Sequence, residues 1–440
     1  MANGKAVNKN IENVYTLTPL QEGMLFHNLI DNESSAYVLQ TAFEFSYQMN
    51  EEALVQALSL ISQRFAVLRT SFFYEKLDKP RQIVLRKRDP EYISFDFSSE
   101  SPERAKEKYD DLLKNDVLRG FDLKKDTLLR VHYVNMGNVS KLVFTMHHII
   151  VDGWCVNIIF GKFLSYYNAL LKGLPFSNVK KEMLDDKNSQ SEYSEYISWI
   201  SKQDKNSAMK YWADLLDGYD SNCEIKPMIK PEATDEQMAR ISISVNEEVT
   251  EKLRTLAEQN ESTLNALAET ALGIMLQNYS GSNDIVFGKV VSGRNANLRD
   301  IENMIGLFIN TIPVRVTVDE STTVVDLLKK QQAQGTDSTS YDYCSLAEIQ
   351  NLTSQGSDLI KVIYVFENYN SGMNEEETEI SDIKVDKSRE QTNYSVSISG
   401  FEIDGKLSFT LMYNPNEFCA EEAASILERL VKVCEEIAND

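Results

Sequence analysis

The stretch Lys141-Leu142-Val143-Phe144-Thr145-Met146-His147-His148-Ile149-Ile150-Val151-Asp152-Gly153-Trp154-Cys155 constrains the chain most, because it joins two periodicities across a short turn. An apolar, β-prone run ends in two of the four histidines. Past Asp152-Gly153, residues Val156, Ile158, Ile159, Phe163, Leu164, Tyr167, Leu170 and Leu171 recur at amphipathic-helix spacing until Gly173 and Pro175 stop the pattern. The order is strand, turn, helix. A histidine released at a strand end is held rigidly yet reaches a cleft, as proton handling requires. A lone histidine there would read more simply as core filler with satisfied hydrogen bonds. A pair followed by Asp-Gly after a buried strand marks a shaped turn.

With 440 residues the chain exceeds what one hydrophobic core usually organises, which predicts two lobes. Its content of 42% hydrophobic and 25% charged residues supplies ample core material. A formal charge of -22 argues against a nucleic-acid partner, because phosphate affinity comes from net Lys and Arg. The five cysteines, Cys155, Cys223, Cys344, Cys419 and Cys434, are odd in number and lack C-x-x-C spacing. They imply neither a disulfide framework nor a zinc site, and they suit a reducing cytoplasm. No apolar signal core follows Met1, and no run of about 18 apolar residues occurs. The expectation is a cytoplasmic chain with no membrane partner and no metal.

Taken in order, residues 1–13 read as a flexible segment, and Thr18 with Pro19 and Gln21 reads as a capping box opening a short helix. Val38 to Phe45 reads as a strand, Glu51 to Arg64 as a helix and Val67 to Tyr74 as a strand, a βαβ-like opening. Gln82 to Leu85 is a strand and Pro102 to Leu118 a charged helix. His132 falls in a strand from Leu128 to Asn135, as a sheet residue and not a catalytic one. Ser177 to Tyr193, polar and lysine-rich, reads as a bridge between lobes. A helical segment Tyr193 to Leu216 precedes a second round: strand 239–245, helices 248–259 and 264–279, strand 285–291 and then the arginine-bearing turn Ser292-Gly293-Arg294. This loosely echoes Leu54 to Arg69. Helix 323–334, strand 359–366, an acidic insertion from Ser371 to Lys387, strands 394–399 and 406–413 and a helix 420–437 complete the chain.

Several stretches share one resemblance. His147-His148-Ile149-Ile150-Val151-Asp152-Gly153 resembles the HHxxxDG signature of the condensation domains of nonribosomal peptide synthetases, relatives of chloramphenicol acetyltransferase. In the family's order, so do Leu17 to His27, Arg64 to Thr70, Tyr211-Trp212, Gly288-Lys289-Val290-Val291-Ser292-Gly293-Arg294, Ile305 to Thr311 and Phe366-Glu367-Asn368-Tyr369. The resemblance implies an α/β (α+β) fold of two chloramphenicol acetyltransferase-like lobes, residues 14–180 and 181–440, in a V-shaped pseudo-dimer with a central tunnel. It implies donor and acceptor peptidyl carrier proteins as partners, whose phosphopantetheine arms deliver thioesters, with no cofactor bound by the domain itself. The acceptor amine attacks the donor thioester and an amide forms.

By the same resemblance His148, the second histidine, is the catalytic candidate. An imidazole with an ordinary pKa of about 6.5 accepts a proton near pH 7. Whether it deprotonates the amine or orients it and stabilises the intermediate stays open. His147 reads as structural, since adjacent strand side chains point to opposite faces. The resemblance pairs Asp152 with Arg294 as scaffold, while Gly153 admits substrate and offers its N–H to an oxyanion, or is a simple turn glycine. Trp154, Asn310, Ser345, Asn393 and Ser395 are expected along the substrate tunnel. Leu17 to His27 and Asp152 to Cys155 look like domains that join a D-configured donor to an L-acceptor. Residues 6–15 resemble a docking segment for an upstream synthetase, and the isolated domain is expected to be monomeric. Ser345-Leu346 and Asn393-Tyr394-Ser395 depart from the pattern, where proline precedes the leucine and aspartate follows the tyrosine. Three other readings stand: a stand-alone coenzyme A- or carrier-dependent acyltransferase, an epimerisation domain, and an inactive carrier-docking module. The basic cluster Lys79, Arg81, Arg86, Lys87 and Arg88 reads as a guard on an exposed strand or a carrier contact.

Overall fold

A computed structural model describes residues 10–30, 37–234, 238–367, 382–389 and 394–439. The chain opens with β1 (Ile11–Thr16), α1 (Pro19–Ile30), β2 (Val38–Phe45), α2 (Glu51–Arg64), β3 (Thr70–Phe73), β4 (Arg81–Leu85), β5 (Glu91–Asp96) and α3 (Pro102–Arg119). Next come β6 (Leu129–Asn135), β7 (Ser140–His147), α4 (Gly153–Leu171), α5 (Phe176–Ser189), α6 (Tyr193–Ile200) and α7 (Lys205–Leu216). The later part runs β8 (Ala239–Ser244), α8 (Glu247–Gln259), α9 (Leu264–Ser280), β9 (Asp284–Val291), β10 (Asn310–Thr317), α10 (Val324–Ser338), α11 (Leu346–Gln350) and β11 (Val362–Glu367). It closes with β12 (Ile383–Arg389), β13 (Val396–Ile403), β14 (Lys406–Tyr413) and α12 (Ala420–Ile437).

The described residues fall into two compact units. One is drawn from 1–203, 296–308 and 375–391, the other from 204–295, 309–374 and 392–440. In the first, a five-stranded sheet of order β12-β2-β7-β6-β5 stands beside a three-stranded antiparallel sheet β1-β4-β3. Only β5 and β6 pair in parallel in the larger sheet, and β7 lies at its centre between β2 and β6.

Strand alternation divides the residues of β7 between two environments. Leu142, Phe144 and Met146 enter a core shared with Leu54, Leu58 and Ile61 of α2 and Ile159 and Phe163 of α4. At about 1.5–3 kcal/mol for each large side chain, burying them holds the strand's end in place. Val143 enters a smaller apolar cluster with Tyr109 and Leu113 of α3. Thr145, two residues along, donates its hydroxyl to buried Asp116 of α3. Asp116 also accepts from Arg130 Nε at 2.8 Å and Gln40 Nε2 at 3.1 Å, and the Arg130 guanidinium lies 4.0 Å over the Phe121 ring. His132 is buried on β6, and burial lowers its pKa.

The second unit carries a six-stranded sheet of order β10-β9-β11-β13-β14-β8, in which β11 pairs in parallel with β9 and β13. Its core, with Leu267, Ala271 and Leu276 of α9 and Ile426, Leu427 and Leu430 of α12, packs on Phe287, Tyr364 and Phe409 of the sheet.

Five expectations are corrected. Residues 11–13, placed in a flexible segment, begin β1, which pairs with β4 from Ile11↔Leu85 to Thr16↔Arg81. The βαβ reading of the opening fails, since β2 and β3 join different sheets. Ser177 to Tyr193 is no bridge: α5 occupies most of it and is tied to α2 by Arg64 Nε to Asp186 at 2.9 Å. The first core continues past 180, because Met183, Tyr193, Tyr196 and Ile197 are buried in it. Part of the acidic insertion, Ile383 to Lys387, is strand, since β12 pairs with the edge of β2. The run Glu375-Glu376-Glu377 lies outside the described residues.

Candidate active site

β7 ends at His147, and His148 opens a 3-10 turn, His148–Ile150, that leads into α4. His147 is wholly buried, with Nδ1 accepting the Ile149 backbone N–H at 3.0 Å. The Phe121 ring meets it edge-on at 6.0 Å, and Tyr37 lies 6.3 Å away. Burial first, then the neighbouring His148, pushes the His147 pKa down to about 3. It is a neutral side chain used as a turn cap. His148 is half-buried, its backbone N–H donating to Tyr37 O at 2.8 Å. The strand register Val38↔His147 places these neighbours there.

Asp152 is fully buried and caps α4, with Oδ1 accepting from Cys155 N at 3.2 Å and from Cys155 Sγ at 3.1 Å. A capping carboxylate suits the positive end of a helix. Its other oxygen accepts the Phe308 N–H at 3.1 Å. Cys155 Sγ also lies 3.2 Å from Gly306 O, and Trp154 Nε1 donates to Glu302 O at 2.9 Å. The segment 301–308 is thus fastened along the first turn of α4. From its other side Tyr193 donates its hydroxyl to Leu307 O at 2.8 Å, and its ring meets Phe308 edge-on at 5.3 Å. A Cβ on Gly306 would come within 2.1 Å of the Tyr193 ring, so only glycine fits. Gly153 opens α4 as its first residue. The sequence reading gave Asp152 its scaffold role through Arg294; within its own unit these contacts carry it.

The remaining candidates lie in the second unit. Arg294 is 8% exposed and follows β9, its N–H donating to Ser292 Oγ at 3.4 Å. Asn310 starts β10, buried, its amide donating to the carbonyls of Asp342 and Cys344, both at 2.6 Å. Ser345 is buried and caps α11 by accepting from Glu348 N at 3.3 Å. Ser395 precedes β13 with its carbonyl accepting from Asn414 N at 3.2 Å, and Asn393 lies outside the described residues. Asp342 escaped the sequence reading. Its carboxyl accepts from Asn295 Nδ2 at 2.6 Å, and burial pushes its pKa up to about 6. Tyr193 was likewise missed; the glycine inside the apolar run Ile305-Gly306-Leu307-Phe308 was the available signal of a close approach. Among the described residues no cluster of three or more His, Cys, Asp or Glu is arranged to hold a metal ion, and no helix is long and apolar enough to cross a membrane.

A family model described as "Condensation domain" matches residues 11–440. The chain is 33% identical over 439 residues to bacitracin synthase 1 of Bacillus licheniformis, covering 98% of this chain and 8% of that one. Gramicidin S synthase 2 of Brevibacillus brevis is 32% identical over 442 residues, covering 98% of this chain and 10% of that one. A solved four-domain nonribosomal peptide synthetase bound to AMP and glycine superposes with a TM-score of 0.76 at 19% identity, over 99% of this chain and 34% of that one. The epimerization domain from the third module of tyrocidine synthetase B does so with 0.70 at 17%, over 99% of this chain and 98% of that one. At those identities the structural likeness is one of fold, a mixed α/β fold. The family match over nearly the whole length shows more: this chain belongs to the condensation-domain family. It spans 8% and 7% of the two bacitracin synthases it matches.

Proposed function

We propose that this chain joins a donor aminoacyl or peptidyl thioester to an acceptor aminoacyl thioester, each on the phosphopantetheine arm of a peptidyl carrier protein. The acceptor's α-amine forms the new N–C bond, the donor's C–S bond breaks, and the proton leaving the amine ends on the released thiol. The lengthened chain stays on the acceptor arm. One observation carries this reading: His148 stands half-buried at the exit of a buried strand, beside a His147 kept neutral by burial. Only one of the two adjacent imidazoles is left to handle a proton, and general acid–base participation is typically worth roughly 10² to 10⁴ in rate. His148 takes the amine proton or orients the amine, and Gly153 offers its N–H to the developing oxyanion at the start of α4. The motif resemblance further supports Asp152 and Arg294 as scaffold residues and Trp154, Asn310, Ser345, Asn393 and Ser395 as residues that act on substrate.

The finer reading is a D-configured donor and an L-acceptor, with residues 6–15 docking an upstream synthetase. It rests on the motif resemblance. A condensation assay with loaded carriers and D- or L-donor thioesters, read by mass spectrometry, tests it. Dipeptidyl carrier from the D-donor alone is the expected result, and preference for the L-donor contradicts the subtype. The fold likeness to an epimerization domain keeps one alternative in view. Loss of the substrate α-hydrogen without amide formation would favour it.

A further inference from the structure

A buried ion pair stands behind the histidine turn, within the first unit. β6 sets Arg130 opposite Thr145 of β7, and β2 sets Gln40 opposite the same threonine. Directly paired side chains share a face of the sheet, and His147, two residues past Thr145, lies on it as well. The side chains of Thr145, Gln40 and Arg130 converge on Asp116 in the last turn of α3. Arg130 and Asp116 are 0% and 2% exposed in their side chains. A carboxylate buried at the negative end of a helix is costly unless a cation meets it. Arg130 meets the carboxylate and also holds the helix end, with Nη2 donating to Asp116 O at 2.7 Å and Nη1 to Gly120 O at 2.6 Å. Gly120 turns the chain there with a φ of 59°, and Phe121 follows. One guanidinium thereby fixes where α3 stops and where Phe121 lies.

The Phe121 ring carries that constraint to the site. It has the Arg130 guanidinium 4.0 Å over its face and meets His147 edge-on, with centroids 6.0 Å apart and planes at 85°. His147 Nδ1 in turn accepts the Ile149 N–H at 3.0 Å and so caps the turn that His148 opens. An imidazole caps such a turn only while its plane is held, because rotation about Cβ–Cγ carries Nδ1 away from the amide. Guanidinium, phenyl ring, imidazole and turn amide are therefore in contact in series. A lysine at 130 would have neither the planar group that lies on the ring nor the fixed fork that holds a carboxylate and two carbonyls at once.

We propose that Arg130 and Phe121 are positioning residues of the reaction: Arg130, held by Asp116, clamps Phe121 against His147 and so fixes the turn that presents His148. The proposal rests on the reading of His148 as the working group of amide formation. The test uses the full chain as wild type, Phe121→Leu, Arg130→Lys and the double variant, with loaded donor and acceptor carriers. Thermal melting establishes that each variant folds. Phe121→Leu leaves the Asp116 cluster intact and decides alone if Arg130→Lys does not fold. Each single variant is expected to lower kcat by roughly ten- to a hundredfold, the size of a misplaced catalytic group, with KM for both carriers unchanged. The double variant should fall no further than the slower single, since both act through one ring. Hydrogen exchange of the Ile149 amide should quicken in every variant, while β13 and β14 of the second unit exchange as in wild type. Unchanged kcat in folded variants, additive losses in the double, a raised KM with kcat intact, or an Ile149 amide that exchanges as in wild type overturns the proposal and leaves Arg130 as scaffold. If wild type itself forms no amide, the reading of His148 fails and takes this proposal with it.

Discussion

At the scale of the residue, the two adjacent histidines differ because one closes a buried strand and the other opens a turn. His147 is wholly buried with a folded pKa of about 3, below the ordinary value of 6.5, so the unfolded chain takes up its proton first. The stability that the neutral ring contributes is complete above about pH 6.5 and is lost as pH falls toward 3. For one such group the loss between pH 7 and pH 5 is about 2 kcal/mol. His147→Gln keeps an acceptor for the Ile149 N–H but does not titrate. Chemical denaturation at the two pH values should show the stability gap between wild type and variant narrowing by that amount at pH 5. A gap independent of pH would mean that the ring is already protonated or solvated in the folded chain.

At the scale of the element, the first turn of α4 and the segment 301–308 form one fastened piece. Asp152→Ala removes the helix cap and strands the buried Phe308 N–H, and the two losses together should cost about 2–4 kcal/mol in unfolding free energy. Gly306→Ala should cost about 1–3 kcal/mol through its clash with the Tyr193 ring. Tyr193→Phe, losing only one hydrogen bond, should cost less. If Gly306→Ala were neutral, the ring would not be held where the structure puts it. The sequence shows α4 clearly because its apolar positions keep helical spacing from Cys155 to Tyr167. The capping box at Thr18 and Gln21 was also legible, and its two hydrogen bonds form at 3.1 and 3.3 Å. What could not be read are pairings distant in sequence. Neither Asp152 to Phe308 nor β12 against β2 leaves a local periodicity, and the lysine-rich face of α5 hides how little of that helix is buried: Val179 and Met183.

At the scale of the whole molecule, the units are interleaved in sequence, which explains why a boundary at residue 180 looked natural and is not where the chain divides. A fragment ending at 180 would lack Tyr193, Tyr196, Ile197, Ile305 and Phe308 from the first core and the β12 cover on the edge of β2. It should expose apolar surface and an open strand edge and aggregate on expression. A soluble fragment with native near-ultraviolet circular dichroism would contradict this. The interleaving also fastens 301–308, sequence-distant from β7, against the turn that presents His148. The central claim is that His148 is the working group of that turn. Single-turnover formation of dipeptidyl carrier by His148→Ala, with loaded donor and acceptor carriers and melting behaviour matched to wild type, tests it most directly. The predicted result is a rate lower by roughly 10² to 10⁴. Turnover equal to wild type in a folded variant would contradict the account.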